Sequence, residues 1–354
     1  MTARGALVLL LSAALFAPAA AMSAALEPLP PPPLPPDSSA TPQMEALGKT
    51  LFFDRRLSGD GTMSCAVCHD PENGYGDGLP VSLGYPTTGN WRNAPTIINV
   101  AYRRSLHWDG RAGSLEEQAL LPIASPFEMN RNLAFLEEAL KEVPVYAEAF
   151  RRVFGGEITR DRVARALAAF ERTIVSRNAP IDRYLRGDAG ALTPLQKKGL
   201  DIFTGKGGCA VCHGGPTLSD GAFHNLGVPE GPKTAGDRRV AVTRRFAAKV
   251  SGFEGYRTLE EDPGRFLVTK DPRDRKAFLT PSLREVALTA PYMHDGVFRT
   301  LDETIDFFDR GGGPGKTALL SPLGLTPEEK EALKAFLAEA LSGEVTKVRP
   351  PAVP

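Results

Sequence analysis

The chain has 354 residues, long enough for two domains with cores of their own, and its 42 basic and 42 acidic residues cancel. That balance excludes a strong field toward nucleic acid or anionic lipid. A 42% hydrophobic content suits a soluble globular protein, and 31 Pro with 35 Gly predict many turns and long ordered loops.

In chain order, Arg4, the apolar stretch Ala6 to Ala17 and the small residues Ala19-Ala20-Ala21 predict a cleaved secretory signal over residues 1–21. No cysteine follows at the cleavage site, which argues against a lipoprotein. Residues 22–40 hold the run Pro28 to Pro36, expected to be extended and stiff: a spacer that keeps the folded part away from whatever precedes it. No later segment is apolar enough to span a bilayer, so the mature chain is expected in the periplasm, without a membrane span.

Two folded units are predicted, 41–187 and 188–345, with a tail at 346–354. Each opens alike: Ala46-Leu47-Gly48-Lys49-Thr50-Leu51-Phe52 in the first and Gln196-Lys197-Lys198-Gly199-Leu200-Asp201-Ile202-Phe203 in the second. Each stretch has a Gly, then a hydrophobic pair at helical spacing, and leads through a Gly-rich approach to a Cys-rich motif. This outlines an internal duplication of a small helical unit. Val163, Leu167, Phe170, Ile174 and Val175 form an apolar stripe at helical period. Helix starts are marked at Thr193-Pro194-Leu195-Gln196, Thr300-Leu301-Asp302-Glu303 and Thr326-Pro327-Glu328-Glu329, the second helix stopping at Gly311-Gly312-Gly313. Sustained alternation is missing, so the fold class is mostly α: two loop-rich helical domains.

All four cysteines fall in two identical motifs, Cys65-Ala-Val-Cys68-His69 and Cys209-Ala-Val-Cys212-His213. Four cysteines could form disulfides, a redox dithiol or a zinc site. The histidines argue otherwise. With 5 His in 354 residues, one directly after both pairs is roughly a two-in-ten-thousand coincidence. Covalent c-type haem attachment requires this layout: two thiols on one helical turn meet the two vinyl groups, and the adjacent His sits beneath the iron. Two covalent c-type haems are therefore expected, each forming a large part of its domain core, with Cys65, Cys68, His69, Cys209, Cys212 and His213 holding them.

Nearly all of the mature chain then resembles the bacterial di-haem cytochrome c peroxidases and their MauG-like relatives. Beyond the haem motifs, the resemblance rests on Leu51-Phe52-Phe53-Asp54 with Leu57-Ser58, Arg92-Asn93-Ala94-Pro95-Thr96, Trp108-Asp109-Gly110-Arg111 through Glu128-Met129, and Pro281-Ser282-Leu283-Arg284 through Pro291-Tyr292-Met293-His294-Asp295-Gly296. It implies that His69 serves a peroxide-reactive haem and His213 an electron-relay haem. Gln118, Pro122 and Glu128 match the distal-pocket residues, Glu128 being the acid–base carboxylate that takes a proton from one peroxide oxygen and delivers it to the other. Trp108 matches the residue between the haems, a stepping stone for electrons. Asn93, Thr289 and Pro291 match residues that hold a calcium ion, a hard cation suited to oxygen donors.

Two departures stand out. Relatives that need reductive activation carry a His in the loop after the first motif; here that loop reads Leu83-Gly84-Tyr85-Pro86, and no His lies between His69 and His107. The N-terminal iron is expected to have an open distal face, with Tyr85 or nothing over it. In the second unit the position of the relatives' distal Met or Tyr is Phe308, which cannot ligate iron. Met293, His294, His224 and Tyr292 are alternative ligands, and a five-coordinate iron is the other option. His107 is expected beside Trp108, exposed, and His224 and His294 are expected to serve as hydrogen-bonding groups.

Three functions follow. The first is a MauG-like enzyme that uses hydrogen peroxide to oxidise a partner protein through Trp108. The second is a peroxidase drawing electrons from a small redox protein, and the third a non-enzymatic di-haem carrier. The missing capping His favours the first over the second; Gln118, Pro122 and Glu128 disfavour the third. A homodimer is compatible with all three.

Overall fold

A computed structural model describes residues 25–33, 40–85 and 88–354. The expected signal peptide lies outside these residues, as does part of the proline run. The helices of the first unit are α1 (Pro42–Phe53), the single turn α2 (Cys65–Cys68), α3 (Leu115–Ala124), α4 (Leu133–Lys141), α5 (Pro144–Phe154) and α6 (Arg160–Glu171). After α7 (Pro180–Leu185) come α8 (Pro194–Thr204), α9 (Pro232–Gly236), α10 (Arg238–Val250), α11 (Phe266–Thr269), α12 (Leu301–Asp309) and α13 (Pro327–Ala335). Strands are confined to three antiparallel two-residue ladders among the described residues: β1 (Leu83–Gly84) with β2 (Thr88–Gly89), β3 (Ser176–Arg177) with β6 (Glu344–Val345), and β4 (Phe223–His224) with β5 (Phe278–Leu279). The mostly helical, loop-rich fold read from the sequence is the one observed.

The capping residues act as their chemistry dictates. Thr193, Thr300 and Thr326 each accept from the N3 amide, while Gln196, Glu303 and Glu329 reach back to the cap amide. Val163, Leu167 and Phe170 lie buried on α6; Ile174 and Val175 are buried too, but past its end.

The duplication is physical. Helix α1 packs on α6, and α8 on α13, each crossing at a glycine. A Cβ on Gly48 would overlap the carbonyl oxygen of Ala166, and one on Gly199 that of Ala332. One turn on, Phe52 meets Phe170 and Phe203 meets Phe336, both with ring centroids 5.2 Å apart. The loops repeat as well. Asn99 and Glu285 adopt left-handed backbone before equivalent short helical turns, and so do His107 and Met293 before Trp108-Asp109-Gly110 and His294-Asp295-Gly296. The bridges Leu106–Ala112 and Tyr292–Phe298 close the two loops identically. By this correspondence Phe308 on α12 occupies the position of Pro122 on α3.

Two hydrophobic clusters form the cores, one holding Phe52, Tyr146, Phe150 and Leu167, the other Phe203, Ile305, Leu333 and Phe336. Ala179 and Ile181 belong to the second cluster, and Val348 from the C-terminal tail is buried in the first. Residues 25–33, within the expected spacer, dock on the folded units. Gly215 N–H donates to Ala25 O at 3.0 Å, Leu29 N–H to Asp182 Oδ1 at 3.0 Å, and Tyr102 Oη to Pro30 O at 2.7 Å. Proline cannot donate, so Pro30 takes part through its carbonyl alone, while Leu29 supplies an amide donor and Ala25 a second carbonyl.

Candidate di-haem active site

Each Cys-x-x-Cys-His motif forms a tight turn whose histidine amide donates back to the first cysteine: His69 to Cys65 O at 3.0 Å, His213 to Cys209 O at 2.8 Å. The rings are then fixed alike. His69 Nδ1 lies 3.1 Å from Tyr75 O and His213 Nδ1 lies 3.0 Å from Leu218 O, and both carbonyl-bearing residues have left-handed backbone. A carbonyl only accepts, so Nδ1 carries the proton and Nε2 keeps its lone pair. Burial lowers the pKa of both rings, which keeps them neutral. A neutral imidazole oriented through Nδ1 is what an iron ligand requires.

No disulfide joins any of the four cysteines. Burial raises Cys65 and pushes Cys68 and Cys209 up to about 12. Asp77 and Glu128 raise Cys68 further, the reverse of the electropositive setting that activates a redox thiolate. The second motif opens onto a cavity of about 560 Å³, of a size for a large flat cofactor, with Cys209, Cys212, His213, Ile305, Phe308 and Leu333 on its wall. Two protected thiols, a pre-oriented imidazole and an apolar chamber fit covalent haem and fit neither a disulfide nor a dithiol.

The residues matched to the distal pocket lie together. Gln118 and Pro122 share a face of α3, and Met129 N–H donates to Pro122 O at 3.1 Å, which sets Glu128 beside them. The Glu128 carboxylate acts electrostatically on both Cys68 and His69. Asn90, which the sequence reading missed, donates from Nδ2 to Glu128 Oε1 at 3.2 Å. Asn90 N–H is bonded to Ser82 O at 2.8 Å and Tyr85 N–H to Glu128 O at 2.9 Å. The loop after the first haem motif is therefore tied to the Glu128 segment, with β1 and β2 closing it. Gly84 permits this: a Cβ there would overlap Phe127 O.

Trp108 Nε1 donates to Asn93 O at 3.0 Å, and both residues line the cavity although they belong to the first unit. Asn93 Nδ2 donates to Leu79 O at 2.8 Å, which turns Oδ1 the other way, and Thr289 and Pro291 lie on the same wall. Arg92 locks this seam. It is buried, with Nη1 on Asp109 Oδ2 at 2.6 Å, and Nε and Nη2 on Asp262 at 2.6 and 2.9 Å.

Of the alternative ligands, Tyr292 Oη is bonded to Val286 O at 3.2 Å. His224 Nε2 is held by Asp220 Oδ2 at 2.7 Å; that carboxylate, then Cys212, pushes it up to about 10. Buried His294 stacks on Phe278 with centroids 3.7 Å apart, and burial takes it down to about 4. Met293 lines the cavity. His107 is not exposed: its Nε2 is enclosed without a partner among the described residues, and burial holds the ring far below its ordinary pKa.

Known proteins share this arrangement. The family described as di-haem cytochrome c peroxidase matches residues 42–190. The chain is 46% identical to "Cytochrome-c peroxidase IdrP2" of Denitromonas iodatirespirans, over 91% of this chain and 87% of that one. It belongs to the di-haem cytochrome c peroxidase family. Within that family it is also 38% identical to "Methylamine utilization protein MauG" of Methylorubrum extorquens, over 90% of this chain and 84% of that one. The crystal structure of a MauG-like protein associated with microbial copper homeostasis superposes with a TM-score of 0.75 at 32% identity, covering 89% of this chain and 94% of that one. Family membership makes this di-haem protein a haem oxidoreductase and accounts for both Cys-x-x-Cys-His motifs. No helix among the described residues is long and apolar enough to cross a membrane.

Proposed function

We propose that this di-haem protein reduces hydrogen peroxide at its N-terminal haem while fully oxidised, and takes the two electrons from a small redox protein by way of the C-terminal haem and Trp108. Bound haem supplies the iron at which peroxide is reduced; the chain's own residues supply protons, orientation and access. Glu128 accepts the proton of one peroxide oxygen and returns it to the departing one, so that two electrons and two protons convert peroxide to two waters. Asn90 holds that carboxylate to one orientation, and Gln118 and Pro122 shape the space it faces.

The observation that carries the reading is the Asn90–Glu128 hydrogen bond within a loop that brings no imidazole to the site. A loop whose Tyr85 amide is already bonded to Glu128 O needs no rearrangement before peroxide enters. Asn93 Oδ1 with the backbone carbonyls of Thr289 and Pro291 forms a hard-oxygen set for calcium beside Trp108. Export to the periplasm is part of the proposal and rests on residues 1–21 and on covalent haem chemistry.

Oxidation of a partner protein is the second reading. The missing capping His supports it as well, since that chemistry also begins from the oxidised state; the 46% identical relative, named a peroxidase, supports the first. One experiment decides the shared part: hydrogen peroxide added to the fully oxidised holoprotein should be consumed with an immediate change in haem absorption. A response only after half-reduction overturns it. Catalytic turnover with a reduced small cytochrome or copper protein then separates the two readings.

A further inference from the structure

The cavity that opens onto His213 carries a cation that no described residue compensates. Of the basic side chains on its wall, Lys206 is paired with Glu329 at 2.6 Å and Lys276 with Glu261. Arg103, which the first unit contributes to the same wall, has no ion pair or side-chain hydrogen bond to any described residue. Burial alone lowers it, to about 10, with no carboxylate acting in return. Of the acids on the wall, Asp262 pairs with Arg92, Glu230 with Arg244 and Glu261 with Lys276; Asp77 accepts from Leu79 N–H at 3.0 Å and, like the rest, does not act on Arg103.

A haem brings two carboxylates into its pocket. An ionised carboxylate removed from water is costly unless a cation meets it, and a guanidinium meets it with two parallel hydrogen bonds. We propose that Arg103 binds a carboxylate of the haem attached through Cys209 and Cys212, so that a residue of the first unit completes the cofactor site of the second. Arg103 also acts electrostatically on His69, the ligand in the first motif. The same guanidinium therefore stands within reach of both haem sites, next to the segment that bears Trp108. This inference rests on membership of the di-haem family and is independent of which substrate the enzyme serves.

The test is redox titration of the holoprotein. In R103Q, with both haems retained by mass and by absorption spectrum, the carboxylate loses its cation. The C-terminal haem's midpoint potential then falls and acquires a dependence on pH between 5 and 8, because the carboxylate now titrates there. R103K, which restores charge but not the planar fork, recovers part of the potential. Wild-type values and a flat pH profile in R103Q, or a shift confined to the N-terminal haem, overturn the assignment. If R103Q fails to mature, the wild type decides: a potential flat from pH 5 to 8 agrees with a carboxylate held ionised, and a sloping one overturns the proposal.

Discussion

Asn90 Nδ2 donates to Glu128 Oε1 at 3.2 Å across a loop closed by only two pairs of ladder residues. The amide reaches the carboxylate because Asn90 N–H is anchored on Ser82 O. If Glu128 moves the peroxide proton, Glu128→Gln slows the reaction with peroxide by about a hundredfold or more. Asn90→Ala removes one orienting hydrogen bond and costs about tenfold. Stopped-flow absorption of the oxidised protein measures both; an unchanged rate in Glu128→Gln removes the carboxylate from the mechanism.

Arg92 is the buried centre of a four-residue ion network, with Asp109, Asp262 and Arg111, that joins the two units. Arg92→Met leaves Asp262 buried without its cation and Asp109 with Arg111 alone, and the holoprotein should lose about 3–5 kcal/mol of unfolding free energy. Chemical denaturation monitored in the haem band and in tryptophan fluorescence gives the value. A loss under about 1 kcal/mol would mean that water replaces the guanidinium.

The two helix crossings predict matched phenotypes. Gly48→Ala and Gly199→Ala each force a methyl group against a backbone carbonyl, so each helix pair must separate. Each should be destabilised by about 1–3 kcal/mol or more, the usual range for overpacking. Haem content and denaturation midpoint are the readouts, and similar losses from both sites would verify that the two crossings are equivalent.

Glu171 gives a pH dependence with a definite sign. Burial raises it to about 8, with Arg172 opposing and Glu116 adding to the rise. The unfolded chain releases this proton near 4.5 while the native chain keeps it, so the stability it contributes is complete below pH 4.5 and is lost as pH rises through 8. Glu171→Gln should flatten the stability profile between pH 5 and 8, a difference on the order of 3 kcal/mol at the upper end. Parallel profiles for variant and wild type would show that the group ionises normally.

The helix starts at Thr193, Thr300 and Thr326 were legible because a capping box spans four residues and needs no tertiary partner. The two haem motifs were legible for the same reason. Asn90 was not: its role depends on an approach to Glu128 across 38 residues, and an asparagine before a tryptophan reads as an ordinary turn. His107 was misread because its enclosure comes from chain segments distant in sequence. The second layer of the repeat, which pairs Pro122 with Phe308, had a sequence signal in Gly113-Ser114-Leu115-Glu116-Glu117 and Arg299-Thr300-Leu301-Asp302-Glu303. Aligning those two caps would have exposed it.

Sequence alone marked the two haem motifs and determined the helical class and the duplication, since thiol spacing, capping residues and helical period act within a few residues of one another. Tertiary structure decided what those parts do together: which carboxylate is oriented, where Trp108 sits, and which cation faces the second cofactor cavity. Those outcomes depend on burial and on hydrogen bonds between distant segments, which exist only once both cores have closed.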